Sequence, residues 1–273
     1  MSLFLYTMKI NKIALLFCLT LLVGTGLLAD FSTDSIAAST PVFRVNKTKS
    51  LIYSTSILGI DLLNNYVDRQ IIEKPTQADI DALDKDDLLF FDQIAFQPMD
   101  QGIKDLSDYT IYFTLGASAA LAYDKEYWLD NALVFTEVML TQSAIGKWTK
   151  TLTSRYRPFV YDDDVSLSKK RQRNSQHSFY SMHSSTAFAA ATYAYYYYYQ
   201  KKGASWPVAL LVYTPAVATA ALRVACANHF VSDVTVGAVM GSAISYFICK
   251  LHTKELPVEI TFTPTNLGIT YRF

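Results

Sequence analysis

Lys150 and Arg157 stand seven residues apart, so on a continuous helix two cations would share one face, close to an end that Pro158 favours. Paired cations at a helix end suit an anion, although solvated charges complementing the helix dipole would look the same. His229 and Asp233 are four apart and would also share a helix face. The carboxylate can then hold one imidazole nitrogen while the other faces a substrate, which is what an activated histidine needs. Taken alone, such a pair is more often a cap or a surface contact. Arg223 ends the preceding apolar segment, and the short stretch VACAN can fold it back toward His229. Its planar, permanently charged fork suits a phosphate. Ser181-Met182-His183 opens another apolar segment, where free backbone N–H groups and the helix dipole favour an anion and would set His183 beside it.

In chain order the stretches KTLTSRYRP, SFYSMHSS and RVACANHFVSD resemble three signatures of the type 2 phosphatidic acid phosphatase and vanadium haloperoxidase superfamily: KxxxxxxRP, PSGH and SRxxxxxHxxxD. The resemblance covers about residues 105 to 250. Tyr180 stands where the family has proline, Met182 where it has glycine and Leu222 where it has serine. Glycine lets the backbone approach phosphate closely, so Met182 bears on activity more than on fold. Ser175-Gln176-His177 offers an alternative register for the second signature, but only His183 is followed by the small apolar run SSTAFAAA.

The resemblance implies an all-α helical bundle of the phosphatidic acid phosphatase and haloperoxidase type, embedded in a membrane. It implies that Lys150, Arg157 and Arg223 grip the phosphoryl oxygens, with help from Ser181, Met182 and nearby backbone amides. His229 would attack phosphorus, Asp233 would orient and stabilise it, and His183 would protonate the leaving oxygen. No metal and no other cofactor is implied. The substrate class is a phosphomonoester or pyrophosphate, in the membrane branch that of a lipid. Three other readings share these residues: a soluble periplasmic nonspecific acid phosphatase, a vanadate-dependent haloperoxidase, and a degenerate member that binds anionic lipid without turnover.

The elements that must position these residues are apolar segments of helix length: TIYFTLGASAALAY, NALVFTEVMLTQSAIGKW, SSTAFAAATYAYYYYY, WPVALLVYTPAVATAAL and VTVGAVMGSAISYFI. Alternating direction brings the ends near Arg157, His183, Arg223 and His229 to one side. Some segments fall short of the roughly 20 apolar residues of a spanning helix, so a soluble bundle stays open beside membrane spanning. Lys201, Lys202, Lys250, His252 and Lys254 mark the opposite side as cytoplasmic by the positive-inside rule. The basic run Lys169, Lys170, Arg171 and Arg173 lies on the active-site side instead, as a solvated loop or an attractor of anionic headgroups. The tyrosines 195–199 read as boundary filler continuing a helix.

The start of the chain sets Lys9 and Lys12 before IALLFCLTLLVGTGLLA, the layout of a secretory signal or an uncleaved anchor over 1–29. Residues 30–108 read as helices and loops that cap the core, 109–255 as the helical phosphatase core, and 256–273 as a short C-terminal β-hairpin. Export with an active site facing the periplasm follows, in the inner membrane or in soluble form. Lys+Arg and Asp+Glu both count 24, so there is no electrostatic reason to expect a nucleic-acid partner. Cys226 and Cys249 lack the spacing of a zinc site or a disulfide framework and read as buried thiols.

Overall fold

The computed structural model describes residues 40–253 throughout, together with the backbone of 258–263 and 266–271. The signal or anchor expected over 1–29 lies outside the described residues. Six long helices follow one another: α1 (Lys47–Ile71), α2 (Gln101–Leu121), α3 (Trp128–Thr153), α4 (Met182–Lys202), α5 (Trp206–Ala225) and α6 (Val231–Thr253). Their starts are written locally. Asn46 accepts from the Lys49 N–H at α1, Asp100 from Ile103 at α2, and Ser181 from Ser184 at α4, each supplying an orphan donor with a side-chain oxygen. Pro207 opens α5, where a missing N–H costs nothing. The acidic stretch between α1 and α2 forms only a short helix, Gln77–Asp81, and a 3-10 turn, Asp92–Ala95.

The C-terminal backbone pairs 258–263 with 266–271 antiparallel. The residues joining these segments, and every side chain of this tail, lie outside the described residues, so the hairpin expected there stays an expectation.

Helix α4 is the centre of the bundle and packs on α6, α5, α2 and α3. Small side chains make this possible: Ala187, Ala189, Ala190, Ala191 and Ala194 are all fully buried. The α4–α6 contact is the closest. A Cβ added at Gly241 would lie 2.1 Å from the Ser185 carbonyl oxygen, and one at Gly237 would lie 2.5 Å from that of Ser181. Only glycine at these two positions lets the backbones meet, and the Ser184 hydroxyl donates across the contact to the Val234 carbonyl at 2.7 Å. The tyrosine run continues α4 as expected, with Tyr197 buried and Tyr195 and Tyr196 packed on Tyr213 of α5 and Tyr246 of α6.

Helix α1 has the opposite polarity from a helix on a water-soluble core. Its buried residues are Ser50, Ser54, Asp61 and Asn64, while Leu51, Ile52, Leu62, Leu63 and Tyr66 face outward. The polar side meets polar positions of α3: the Ser50 hydroxyl donates to Glu137, Asn64 donates to Thr151 Oγ1, and Lys147 pairs with Asp61. Helix α2 runs through the boundary expected at 108 and docks on α5 and α4. Helices α5 and α6 are each long and apolar enough to cross a membrane.

Candidate active site

Lys150 sits in the last turn of α3 and donates to the His177 carbonyl at 2.6 Å. Arg157 does not continue that helix, which corrects the expectation of a shared face. Helix α3 stops at Thr153 because Ser154 takes a left-handed conformation (φ 43°), and Arg157 is extended (ψ 155°), as a residue before proline prefers. The turn still delivers both cations to one place. The Arg157 guanidinium is buried and donates to the Asn174 carbonyl and side chain at 2.9 and 3.1 Å, and to the Asn228 carbonyl at 3.2 Å. Burial, with Arg223 close by, pulls its pKa down to about 10, so it stays charged at neutral pH.

At the start of α4 the Ser181 hydroxyl is committed to capping and is fully buried, and the Ser181 N–H donates to the Asp233 carbonyl at 3.0 Å. His183, in the first turn, meets Asp108 of α2 at 3.0 Å through Nε2. Met182 and Tyr180, two departures from the family pattern, are both accommodated by Gly146 of α3. A Cβ there would lie 3.1 Å from Met182 Cγ and 3.4 Å from the Tyr180 hydroxyl. His177, the alternative register, lies between a 3-10 turn and α4, not at a helix start, and its Nε2 faces Asp68 of α1 at 3.1 Å.

Arg223 closes α5 and donates to the Ser107 hydroxyl at 3.0 Å, with Asp108 at 3.4 Å, while its buried Nε has no partner among the described residues. The chain then turns through Ala227 (φ 55°) to His229, which stands two residues before α6, so His229 and Asp233 do not share a helix face as their spacing suggests; the turn brings the imidazole to the carboxylate instead. The His229 side chain is 1% exposed. Its Nε2 stands 3.4 Å from an Arg157 nitrogen, and its Nδ1 is 3.6 Å from Asp233 Oδ2, an ion-pair distance without a hydrogen bond. Burial first, then the neighbouring cations Arg157, Lys150 and Arg223, hold the imidazole pKa well below 6.5. The ring is therefore neutral, with a lone pair for attack, at neutral pH.

Asp233 is itself tied down. Its Oδ2 accepts from the Ser178 hydroxyl at 2.5 Å and the Phe230 N–H at 2.8 Å, and its Oδ1 pairs with Arg155 at 2.6 Å. The other arm of Arg155 reaches Asp92 at 2.8 Å, and Asp92 also accepts from the N–H and hydroxyl of Ser232. Both carboxylates are 0% exposed, and the guanidinium lies over the Phe230 ring at 4.3 Å.

Lys150, Arg157, Met182, His183, Arg223 and His229 line one cavity of about 630 Å³. Ser181 and Asp233 do not reach it: the first caps α4 and the second stands behind His229. Asp108, Asp92, Arg155 and Asn228 have no counterpart in the sequence reading. Asp92 sits in an acidic run that reads as part of the cap, and Asp108 meets His183 across 75 residues, a separation that leaves no spacing signal. Among the described residues, no three His, Cys, Asp or Glu side chains stand close enough to hold a metal ion. What the arrangement can do is bind a tetrahedral anion between three cations, with a neutral imidazole on one side and a second imidazole on the other.

Residues 131–257 match the PAP2 superfamily model, the superfamily that the three motifs resemble. The match takes in all of these positions from Lys150 to Asp233, and leaves α1 and α2 outside it. It supports a phosphoric ester hydrolase. No curated protein and no solved structure matches the chain.

Proposed function

We propose that this PAP2-superfamily chain is a metal-independent phosphatase that hydrolyses a phosphomonoester or diphosphate of a lipid, through a phosphohistidine on His229, on the exported side of a membrane. One observation carries the reading: three cations and two histidines from four separate elements line a single cavity, with a buried carboxylate behind the more buried imidazole.

Lys150, Arg157 and Arg223 hold the non-bridging oxygens, and the first-turn N–H groups of α4 at Met182 and His183 add to the positive field. Ser181 contributes by fixing that turn. His229 Nε2 forms a bond to phosphorus as the bond from phosphorus to the leaving oxygen breaks. His183, its Nε2–H held by Asp108, takes up at Nδ1 the proton that the phosphate brings as its monoanion and passes it to that oxygen. Asp233 lies beside Nδ1 of the resulting phosphoimidazolium and offsets its charge. Water then attacks phosphorus, neutral His183 takes its proton, and the phosphorus–nitrogen bond breaks to release phosphate and neutral His229.

The lipid part of the reading rests on the outer surface. Two helices are long and apolar enough to span, and α1 turns its apolar face outward and its polar face to α3. Such a helix is stable where the surroundings are apolar. Export and a periplasm-facing site rest on the N-terminal apolar run and on the lysines at the other end of the bundle.

The test is phosphate release from a panel of lipid phosphates and diphosphates by the full chain in detergent, paired with an acid quench. Wild type is expected to turn over and to retain phosphate on protein. His229→Ala is expected to lose at least about a thousandfold in rate, as loss of a nucleophile does, and to retain no label. Unchanged turnover in that variant would overturn the assignment.

A further inference from the structure

Beyond the three cations assigned to the scissile phosphate, the same cavity is walled by more. Its lining carries eight Lys and Arg side chains and a single carboxylate, Asp68. Lys150, Arg157 and Arg223 form the inner group and Lys147 is paired with Asp61, which leaves Arg69, Lys104, Lys169 and Arg173. Among the described residues no carboxylate lies within 4.0 Å of any of these four, although the chain as a whole balances 24 cations with 24 anions. Arg173 Nε is buried with no hydrogen-bond partner, a cost that a ligand would relieve.

Each of the four is anchored next to the inner group. Arg173 precedes Asn174, whose carbonyl and side chain accept from Arg157. Arg69 follows Asp68, which accepts from Thr151 Oγ1 and faces His177. Lys104 lies one turn before Asp108, which meets His183 and Arg223. The Lys169 ammonium stands over the ring of Phe159, two residues after Arg157. Arg69 and Lys104 belong to α1 and α2, outside the matched segment 131–257. Half of this ring is therefore supplied by this chain's own N-terminal helices, and half by the segment that carries Lys169 and Arg173. It also assigns a role to the basic run, which the catalytic steps leave unused.

We infer that Arg69, Lys104, Lys169 and Arg173 form an outer anion subsite that takes a second phosphoryl group of the substrate while the first lies between Lys150, Arg157 and Arg223. The inference rests on the phosphatase reading for the inner position only. The second group is either the distal phosphate of a diphosphate or a phosphate on a separate carbon of the same molecule. Its chemistry is the same in both cases: a dianion met by guanidinium forks and ammonium groups.

Binding of non-hydrolysable probes to the full chain in detergent tests this without turnover. Methylenediphosphonate is expected to bind at least about tenfold tighter than methylphosphonate, since one charge-assisted hydrogen bond exceeds a decade in affinity. In the Arg69→Gln/Arg173→Gln double variant that ratio should fall toward one. Lys104→Gln, on a different helix, should lower it by a smaller factor and covers a double variant that does not fold. A diphosphonate with its groups at the ends of a short alkyl chain separates the two sources, because the tighter of the two bidentate probes identifies the spacing. An unchanged ratio in folded variants would overturn the subsite, as would cations that serve only to meet an anionic bilayer. Absence of phosphate release from every ester would instead overturn the catalytic reading and leave the binding ratio to decide the subsite.

Discussion

Arg155 stands two residues before Arg157, has no place in the pattern KxxxxxxRP, and yet bridges the two most deeply buried carboxylates near His229. One arm meets Asp233 at 2.6 Å and the other meets Asp92 at 2.8 Å. Removing it would leave two buried anions uncompensated, and breaking one partner from such a set costs about 3 kcal/mol or more. Arg155→Gln is accordingly expected to lower the thermal midpoint and to reduce kcat more than KM, because Asp233 would shift behind His229. Arg155→Lys should restore part of the midpoint, since it returns the charge without the two-armed geometry. A variant with wild-type midpoint and kcat would show the bridge to be dispensable. Met182 belongs to the same scale. Its bulk, where the family pattern has glycine, fits against Gly146, where an added Cβ would lie 3.1 Å from Met182 Cγ.

Helices set how accurately these residues meet. The first turn of α4 holds His183, the first turn of α6 holds Asp233 with His229 two residues ahead of that helix, and the two helices touch backbone to backbone at Gly237 and Gly241. At Gly241 the nearest atom to an added Cβ is a backbone carbonyl oxygen at 2.1 Å, which no side-chain rotation can relieve. Gly241→Ala must push the helices apart, an overpacking cost of about 1–3 kcal/mol. The expected outcome is a lower unfolding midpoint together with reduced phosphate release, although Gly241 lies 12 residues beyond His229. Gly59, which has nothing within 4 Å of an added Cβ, is the control: Gly59→Ala should leave both unchanged. Equal behaviour of the two variants would mean that the close approach does not hold the site.

Across the whole molecule, charge and polarity are distributed by end and by face. The side chains proposed for catalysis and for the outer subsite gather at one end, where α3 and α5 finish and α4 and α6 begin, while Lys201, Lys202 and Lys250 lie at the other ends of α4 and α6. On α1, Leu51, Ile52, Leu58, Leu62, Leu63 and Tyr66 face outward, while the buried Ser50, Asp61 and Asn64 bond to α3. On the membrane reading proposed above, lipid would cover these outward apolar side chains. Membranes washed with alkaline carbonate should therefore keep the protein in the pellet, and detergent should be needed to release it. Release by carbonate alone would return the fold to the soluble alternative.

Spacing within single segments determined much of this protein before any fold was known. The helical periods, the placing of His183 at a helix start and the nearness of Asp233 to His229 depend on near neighbours in sequence, as does the order of the three motifs along the chain. Only the tertiary structure decided the rest. Arg157 leaves the helix that spacing would continue, because Ser154 turns left-handed and Pro158 demands an extended residue before it. Asp68, Asp92 and Asp108 enter the site from a stretch that reads as a cap, because their partners lie 63 to 140 residues away. At such separations no residue pattern records which side chains will meet; packing around the alanines of α4 and the glycines of α6 settles it.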